Sequence, residues 1–334
     1  MPRARKHQIS VQNTPYYHCV SRCVRRAFLC GCDSSSGKNY EHRRAWVERR
    51  LLQLSEHFAI EICAYAIMSN HTHLVLHINS EQAQSWDVET IFYHWHQLFN
   101  GTRLSQLYYH EETRQQLTAT ELHQVQQLAE VYRSRLTDIS WFMRSLNEYI
   151  AREANKEDGC TGRFWEGRFK SQALLDEQAL LTCMAYVDLN PIRAKLAQSI
   201  ERSHYTSVRR RVQAIVNKQP IARLKPFDHN QAPHQQQPLP CHLNQYLELL
   251  EYSGRVFRHD KAGAIPRQSA QLLQRLNICW AQWLELTQSF EHQFSYLAGK
   301  ESSLQGCAMH KQSQRIRGRH NARRLFGGSV SHTP

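Results

Sequence analysis

The chain is predicted to be an α+β protein built on a small antiparallel sheet, and three observations predict it. "AIEICAYAIM" (59–68) and "THLVLHI" (72–78) are apolar, β-favouring runs. They are too close for a crossover, so they form an antiparallel hairpin turning at Ser69-Asn70. "PYYHCVSRC" (15–23) alternates well enough to be a further strand, while helical periodicity fills most of 80–155 and 241–310.

Taken in order, "GCDSSSGKN" is a loop, and Asn39 is placed to cap a helix opening near Tyr40. That helix, "YEHRRAWVERRLLQLSEHF", sets Trp46, Arg50 and Leu54 on adjoining turns, with Leu51 and Phe58 on a mostly apolar stripe. After the hairpin come the helical segments "VETIFYHWHQLF", "ATELHQVQQLAEVYRSRL" and "SWFMRSLNEYIAREAN", the last ending at the turn-forming "KEDGCTG". "RFWEGRFKSQALL" reads as a strand pair or bent strand with Gly167 in the bend. Asp176 then caps "EQALLTCMAYVDLN", and a further helix, "PIRAKLAQSI", starts with Pro191 in its first turn.

These elements divide the chain into a domain over 1–228 with a helical insertion at about 80–136, a Pro/Gln-rich linker at 229–240, a helical region at 241–310, and a basic tail at 311–334 without fixed structure. The net charge of +13 is concentrated at the two ends. Residues 1–50 hold 11 Lys and Arg against 3 Asp and Glu, and the tail holds 6 Lys and Arg with no acid. Such clustering calls for a polyanionic partner, nucleic acid first. No apolar run approaches the roughly 18 residues that span a bilayer. The basic start has no apolar segment behind it, so a cytoplasmic, nucleoid-associated protein is expected. The ten cysteines lack paired CxxC spacing and are expected to be thiols.

In "MSNHTHLVLHI" strand alternation points His71 and His73 to one face, and Thr72, Leu74, Leu76 and Ile78 to the other. Two imidazoles can donate to one cation, but a third ligand must come from elsewhere. His77 shares their face further along and is expected to be peripheral or packed.

This stretch resembles the metal-binding strand of the HUH nucleases, in which two histidines flank a hydrophobic residue. "YYHCVSRCVRRAFLC", the His-Thr-His strand, "GRFWEGRFKSQALL" and "YVDLNPIRAKL" are similar, in that order, to the REP-associated tyrosine transposases. These are single-tyrosine enzymes that act on single-stranded DNA. The likeness runs from about Pro15 to Arg211, interrupted by 80–136, and Thr72 departs from the usual bulky residue. The resemblance implies a sheet with ferredoxin-like connections of the HUH nuclease type. It makes Tyr186 the nucleophile and adds Asn190 to His71 and His73 as ligands of Mg²⁺ or Mn²⁺. The implied partners are single-stranded DNA with hairpin-forming repeats and a second copy of the chain. Positions i and i+4 share a helix face, so Tyr186 and Asn190 can meet one cation and one phosphate. Tyr149 ranks lower because no Asn-Pro follows it.

The expected DNA contacts are Arg22, Arg25 and Arg26 after the first strand, and Arg163, Arg168 and Lys170 interleaved with Phe164, Trp165 and Phe169. The tail arginines Arg315, Arg317, Arg319, Arg323 and Arg324 are expected to add sequence-blind affinity. The competing reading is a repeat-binding DNA protein derived from a transposase and without catalysis. A zinc hydrolase lacks an accompanying HExxH.

Overall fold

A computed structural model of the protein describes residues 8–24, 29–32, 37–227, 237–258, 265–310 and 316–327. Arg25, Arg26, Arg315 and most of the 229–240 linker lie outside the described residues. In chain order the elements begin β1 (Tyr16–Arg22), α1 (Arg43–His57), β2 (Ile60–Ile67) and β3 (His71–Ile78). Helices α2 (Ser80–Ser85), α3 (Val88–His96), α4 (Arg103–Tyr109), α5 (Glu111–Arg114), α6 (Ala119–Leu136) and α7 (Ile139–Glu157) follow. Then come β4 (Lys170–Leu174), α8 (Glu177–Asp188), α9 (Asn190–Arg193), α10 (Ser207–Val216), α11 (Leu243–Phe257), α12 (Arg267–Arg275), α13 (Trp280–Gln293), β5 (Leu297–Ala298), α14 (Glu301–His310) and α15 (Arg319–Phe326).

Two compact units emerge, one of Met1–Ala45, Ile62–His77 and Arg163–Pro334, the other of Trp46–Glu61 and Ile78–Gly162. The second unit is helical and closes on aromatic residues, with Trp95 stacked on Tyr132 and Phe58 edge-on to Phe142.

The sheet belongs to the first unit and runs in the order β2-β3-β1-β4-β5. β1 is antiparallel to both β3 and β4, so the connections β1 to β2 and β3 to β4 each skip one strand. That double split is the ferredoxin-like arrangement, and the fold is α+β. One edge differs from the expected all-antiparallel sheet, because β5 pairs parallel with β4. Two residues in a segment of helical pattern leave no period-2 signal, so this strand could not be read in advance.

Three local boundaries also differ from expectation. Asn39 accepts from Glu41 N at 2.9 Å, an Asx turn two residues ahead of the helix, which starts only at Arg43. Strand β4 begins at Lys170, and the preceding segment contributes only a bridge between Trp165 and Cys23. The helix expected from Pro191 to Ile200 stops at Arg193. Lys195 takes a left-handed φ of 57° there, Leu196 N donates to Pro191 O, and Lys195 N donates to Ile192 O. This is a Schellman closure, made with lysine where glycine is usual, which hid it in the sequence.

Every residue of α8 from Ala179 to Asp188 is buried, in a core shared with Val75 of the sheet and with residues of α11, α13 and α15. Asp188 ties its C-terminal end down. The carboxylate accepts from Ser207 Oγ, from Val208 N at 3.0 Å and from Tyr246 Oη at 2.8 Å.

The tail is not irregular throughout. Arg319–Phe326 is helical, with Ala322, Leu325 and Phe326 buried and the Phe326 ring stacked on Phe294. Its arginines face acids: Arg319 and Arg323 pair with Glu301, and Arg324 pairs with Glu285. Hydrogen bonds from Arg323 and Arg319 hold the Glu301 carboxyl down to about 2, below its unfolded value of about 4.3. A depressed carboxyl stabilises the folded form fully above its unfolded pKa and loses that contribution as pH falls through the folded one. Amide protection over Arg319–Phe326, corrected for intrinsic exchange, is therefore expected to fall between about pH 4 and pH 2. α8 should stay protected in the same hydrogen-exchange experiment.

Candidate active site on one face of the sheet

Cross-strand register decides which side chains share a face. His71 lies opposite Arg22, His73 opposite Val20, and Val75 opposite His18. On the other side of β1, Lys170 faces Val20 and Gln172 faces His18. Directly opposed residues point the same way. His71, His73, His18, Gln172, Arg22 and Lys170 thus occupy one face of three adjacent strands. α8 lays Tyr186 against it, with ring centroids 5.7 Å from His73 and 6.1 Å from His18.

The turn before His71 is held from several sides. Cys23 N and Sγ both donate to Asn70 O. Cys30 N donates to Ser69 O, and its Sγ donates to Met68 O. Burial pushes the Cys30 thiol up to about 12 and raises that of Cys23, which keeps both as donors. Arg44 adds a bond to Ile67 O at 2.7 Å. Thr72 is buried on the opposite face, and its hydroxyl has no hydrogen-bond partner among the described residues.

Burial disfavours the charged form of all three histidines. Burial, with Arg22 adding to it, lowers His71 to about 4. Burial and the neighbouring His18 and His71 drive His73 well down, and burial lowers His18. His71 Nδ1 lies 2.6 Å from Asn70 Oδ1, an oxygen that only accepts, so its proton sits on Nδ1 and Nε2 offers a lone pair. Neutral imidazole of that kind is a good divalent-metal donor. Among the described residues no group of three or more His, Cys, Asp or Glu is arranged to hold a metal ion. A cation on this face would need ligands beyond the two imidazoles of His71 and His73.

Asn190 is buried near the end of α8, but on a separate element. α8 stops at Asp188, and Asn190 opens α9. Among the described residues its carboxamide makes no hydrogen bond to the imidazoles, and it does not cap α9. The single helix face expected to carry both Tyr186 and Asn190 is thus broken at Leu189. His77 is taken up by packing, its Nδ1 3.3 Å from Lys225 Nζ and its ring against Tyr16. Tyr149 belongs to the other unit, beneath the Arg50 guanidinium.

Sequence reasoning does not point to four residues of the site: His18, Gln172, Arg193 and Glu291. Arg193 lies with its guanidinium 4.0 Å over the Tyr186 ring and donates to the carbonyls of Tyr186 and Thr287. Burial raises the Tyr186 hydroxyl to about 12, with Arg193 pulling the other way, and burial lowers Arg193 to about 10. Glu291, on α13, pairs loosely with Lys170 at 3.9 Å. Beside His18 is a cavity of about 560 Å³, lined also by Gln172, Arg168, Lys170, Glu291 and Tyr296.

Of the basic and aromatic residues expected to meet DNA, Arg22, Arg163, Arg168, Lys170 and Arg317 are exposed. Trp165 is half-buried, whereas Phe164 and Phe169 are core. Arg319, Arg323 and Arg324 are engaged in the ion pairs described above.

No family model and no curated protein matches the chain. A solved structure of a REP-associated tyrosine transposase bound to a REP hairpin is similar to it with a TM-score of 0.36 and 12% identity, covering 70% of this chain and 96% of the other. Likeness at that level says nothing about activity. Among the described residues no helix is long and apolar enough to cross a membrane.

Proposed function

We propose that the chain is a metal-dependent endonuclease and strand transferase for single-stranded DNA, which cuts at hairpin-forming repeats through a 5′-phosphotyrosine on Tyr186. The observation that carries this reading is the meeting of the Tyr186 and His73 rings, 5.7 Å apart, on a sheet face that also bears His71 and the exposed cations Arg22 and Lys170. The order of the four sequence motifs supports it. His71 and His73 would hold Mg²⁺ or Mn²⁺ through their Nε2 atoms, with the Asn190 carboxamide as third donor. When bound, the cation supplies charge neutralisation and orientation at the scissile phosphate.

The chain's own residues do the rest. Tyr186 Oη forms a bond to phosphorus as the bond to the 3′-oxygen breaks. The phenol gives up its proton, and the departing oxygen takes one up to become a 3′-OH. The covalent link conserves the phosphodiester energy, so a second 3′-OH can reverse the step. Arg193, over the ring, favours the phenolate. Arg22, Arg168 and Lys170 hold flanking phosphates.

Replacing both His71 and His73 by alanine is expected to abolish Mn²⁺ binding, read by electron paramagnetic resonance titration, while hairpin DNA is still retained in a gel shift. Undiminished Mn²⁺ binding by the double variant would remove the metal site from this face. The raised, buried Tyr186 hydroxyl favours a second reading, in which the chain binds repeats without cutting them. That reading expects a gel shift with no covalent species in the presence of Mn²⁺.

A further inference from the structure

A line of hydrogen bonds crosses the sheet at the site. Gln172 Nε2 donates to Phe294 O at 2.6 Å, which fixes the amide so that its oxygen faces β1. Gln172 Oε1 lies 3.3 Å from His18 Nδ1, and His18 Nε2 lies 3.0 Å from His73 Nδ1. His18 and Gln172 are directly opposed across β1 and β4, and His73 is the diagonal neighbour of His18 on β3. The side chains of Gln172, His18 and His73 are buried, and so is Phe294, whose carbonyl ends the line.

Each link dictates the next. An amide oxygen only accepts, so His18 carries its proton on Nδ1 and, as a neutral ring, presents a bare Nε2. That bare nitrogen only accepts, so His73 carries its proton on Nδ1. His73 Nε2 is left with its lone pair free. Free imidazoles favour the opposite tautomer, with the proton on Nε2, where it would block that atom as a ligand.

We infer that His18 and Gln172 are positioning residues that hold His73 in the Nδ1–H tautomer, anchored at the Phe294 carbonyl, so that His73 Nε2 stands ready as a metal donor. Asn70 does the same for His71 from the turn. The two imidazoles are thereby set alike by two unrelated partners, one adjacent in sequence and one across the sheet. A pair of merely satisfied core histidines has no need for this agreement, since either tautomer would satisfy a hydrogen bond. The use made of the lone pair rests on the proposed function; the tautomer itself does not.

The test is long-range ¹H–¹⁵N correlation spectroscopy on the full-length, metal-free, ¹⁵N-labelled chain, with His73 assigned by its loss in His73→Gln. The native chain is expected to show His73 protonated at Nδ1. His18→Gln keeps an acceptor near the same point and is expected to preserve that signature. His18→Phe, similar in bulk but without an acceptor, is expected to convert His73 to the Nε2–H form or a mixture. Gln172→Leu, which breaks the line one link further out, should do likewise and serves where His18→Phe does not fold. Mn²⁺ titration of the same proteins should show binding weakened about 10- to 100-fold in His18→Phe and restored in His18→Gln. A native His73 protonated at Nε2, or unchanged His73 shifts in both His18→Phe and Gln172→Leu, overturns the inference. Absence of Mn²⁺ binding by the native chain defeats the metal reading alone, because the tautomer measurement is made without metal.

Discussion

With Tyr186 replaced by phenylalanine, no covalent protein–DNA species is expected when labelled single-stranded hairpin DNA and Mn²⁺ are supplied and the products are run on a denaturing gel. The native chain is expected to leave a retarded, heat-stable band. The substitution removes one oxygen and little else. The Tyr186 hydroxyl makes no hydrogen bond among the described residues, and the ring contacts to His73, His18 and Phe290 remain available to phenylalanine. Stability should therefore change by less than about 0.5 kcal/mol, and DNA retention on a native gel should be unaltered. Loss of the band with binding intact assigns the nucleophile. A band that persists in Tyr186→Phe places the nucleophile elsewhere, and a native chain that yields no band leaves the non-cutting reading in possession.

The second large effect concerns the helix that carries the tyrosine. Asp188→Ala strands two buried donors, the Val208 amide and the Tyr246 hydroxyl, and leaves the Ser207 hydroxyl only its long bond to Tyr65 O at 3.4 Å. It also removes the acid that faces the fully buried Arg211. Burial pushes the Asp188 carboxyl up to about 6 against these donors, so it is ionised at neutral pH. Each orphaned buried donor costs about 1–3 kcal/mol. The effects share one site and do not add strictly, so a loss of about 3–5 kcal/mol, within the span for two such donors, is expected in urea unfolding followed by circular dichroism. Against a total of about 5–15 kcal/mol, that leaves a marginal protein. Asp188→Asn keeps one acceptor oxygen and should lose less. A loss below about 1 kcal/mol for the alanine variant would show that the clasp between α8, α10 and α11 is dispensable.

Much of the site could be read from short-range regularities. Period-2 alternation alone puts His71 and His73 on one face, and the helical pattern around Tyr186 puts it on an element able to cover that face. What could not be read was whatever depends on long-range pairing. His18 sits in "YYHCV", a plain strand motif. Its meeting with His73 depends on register between segments some fifty residues apart, which no local pattern specifies. Gln172 becomes legible only once β4 is paired with β1. Arg193 lies seven residues beyond Tyr186, and its second anchor, the Thr287 carbonyl, comes from a helix some ninety residues further on, which no local pattern specifies.

The arginine-rich end misled for a related reason. Composition shows an excess of cations, but Glu285 and Glu301, which take them up, come from segments whose helical stripe does not announce what lies across from it. Asn190 is the converse case. Its spacing from Tyr186 suits a shared face, yet the helix breaks between them.

The carbonyls of Thr287 and Phe294 and the ring of Phe290 all come from the last turns of α13 and the residue after it, far beyond the Pro/Gln-rich stretch that looks like a natural place to cut. Anyone trimming the gene to a minimal working piece at that stretch would discard the anchor of the imidazole line, one seat of Arg193 and a wall of the tyrosine pocket together. Phe294 is itself braced by the Phe326 ring, so a cut between the two would strip that anchor of its support.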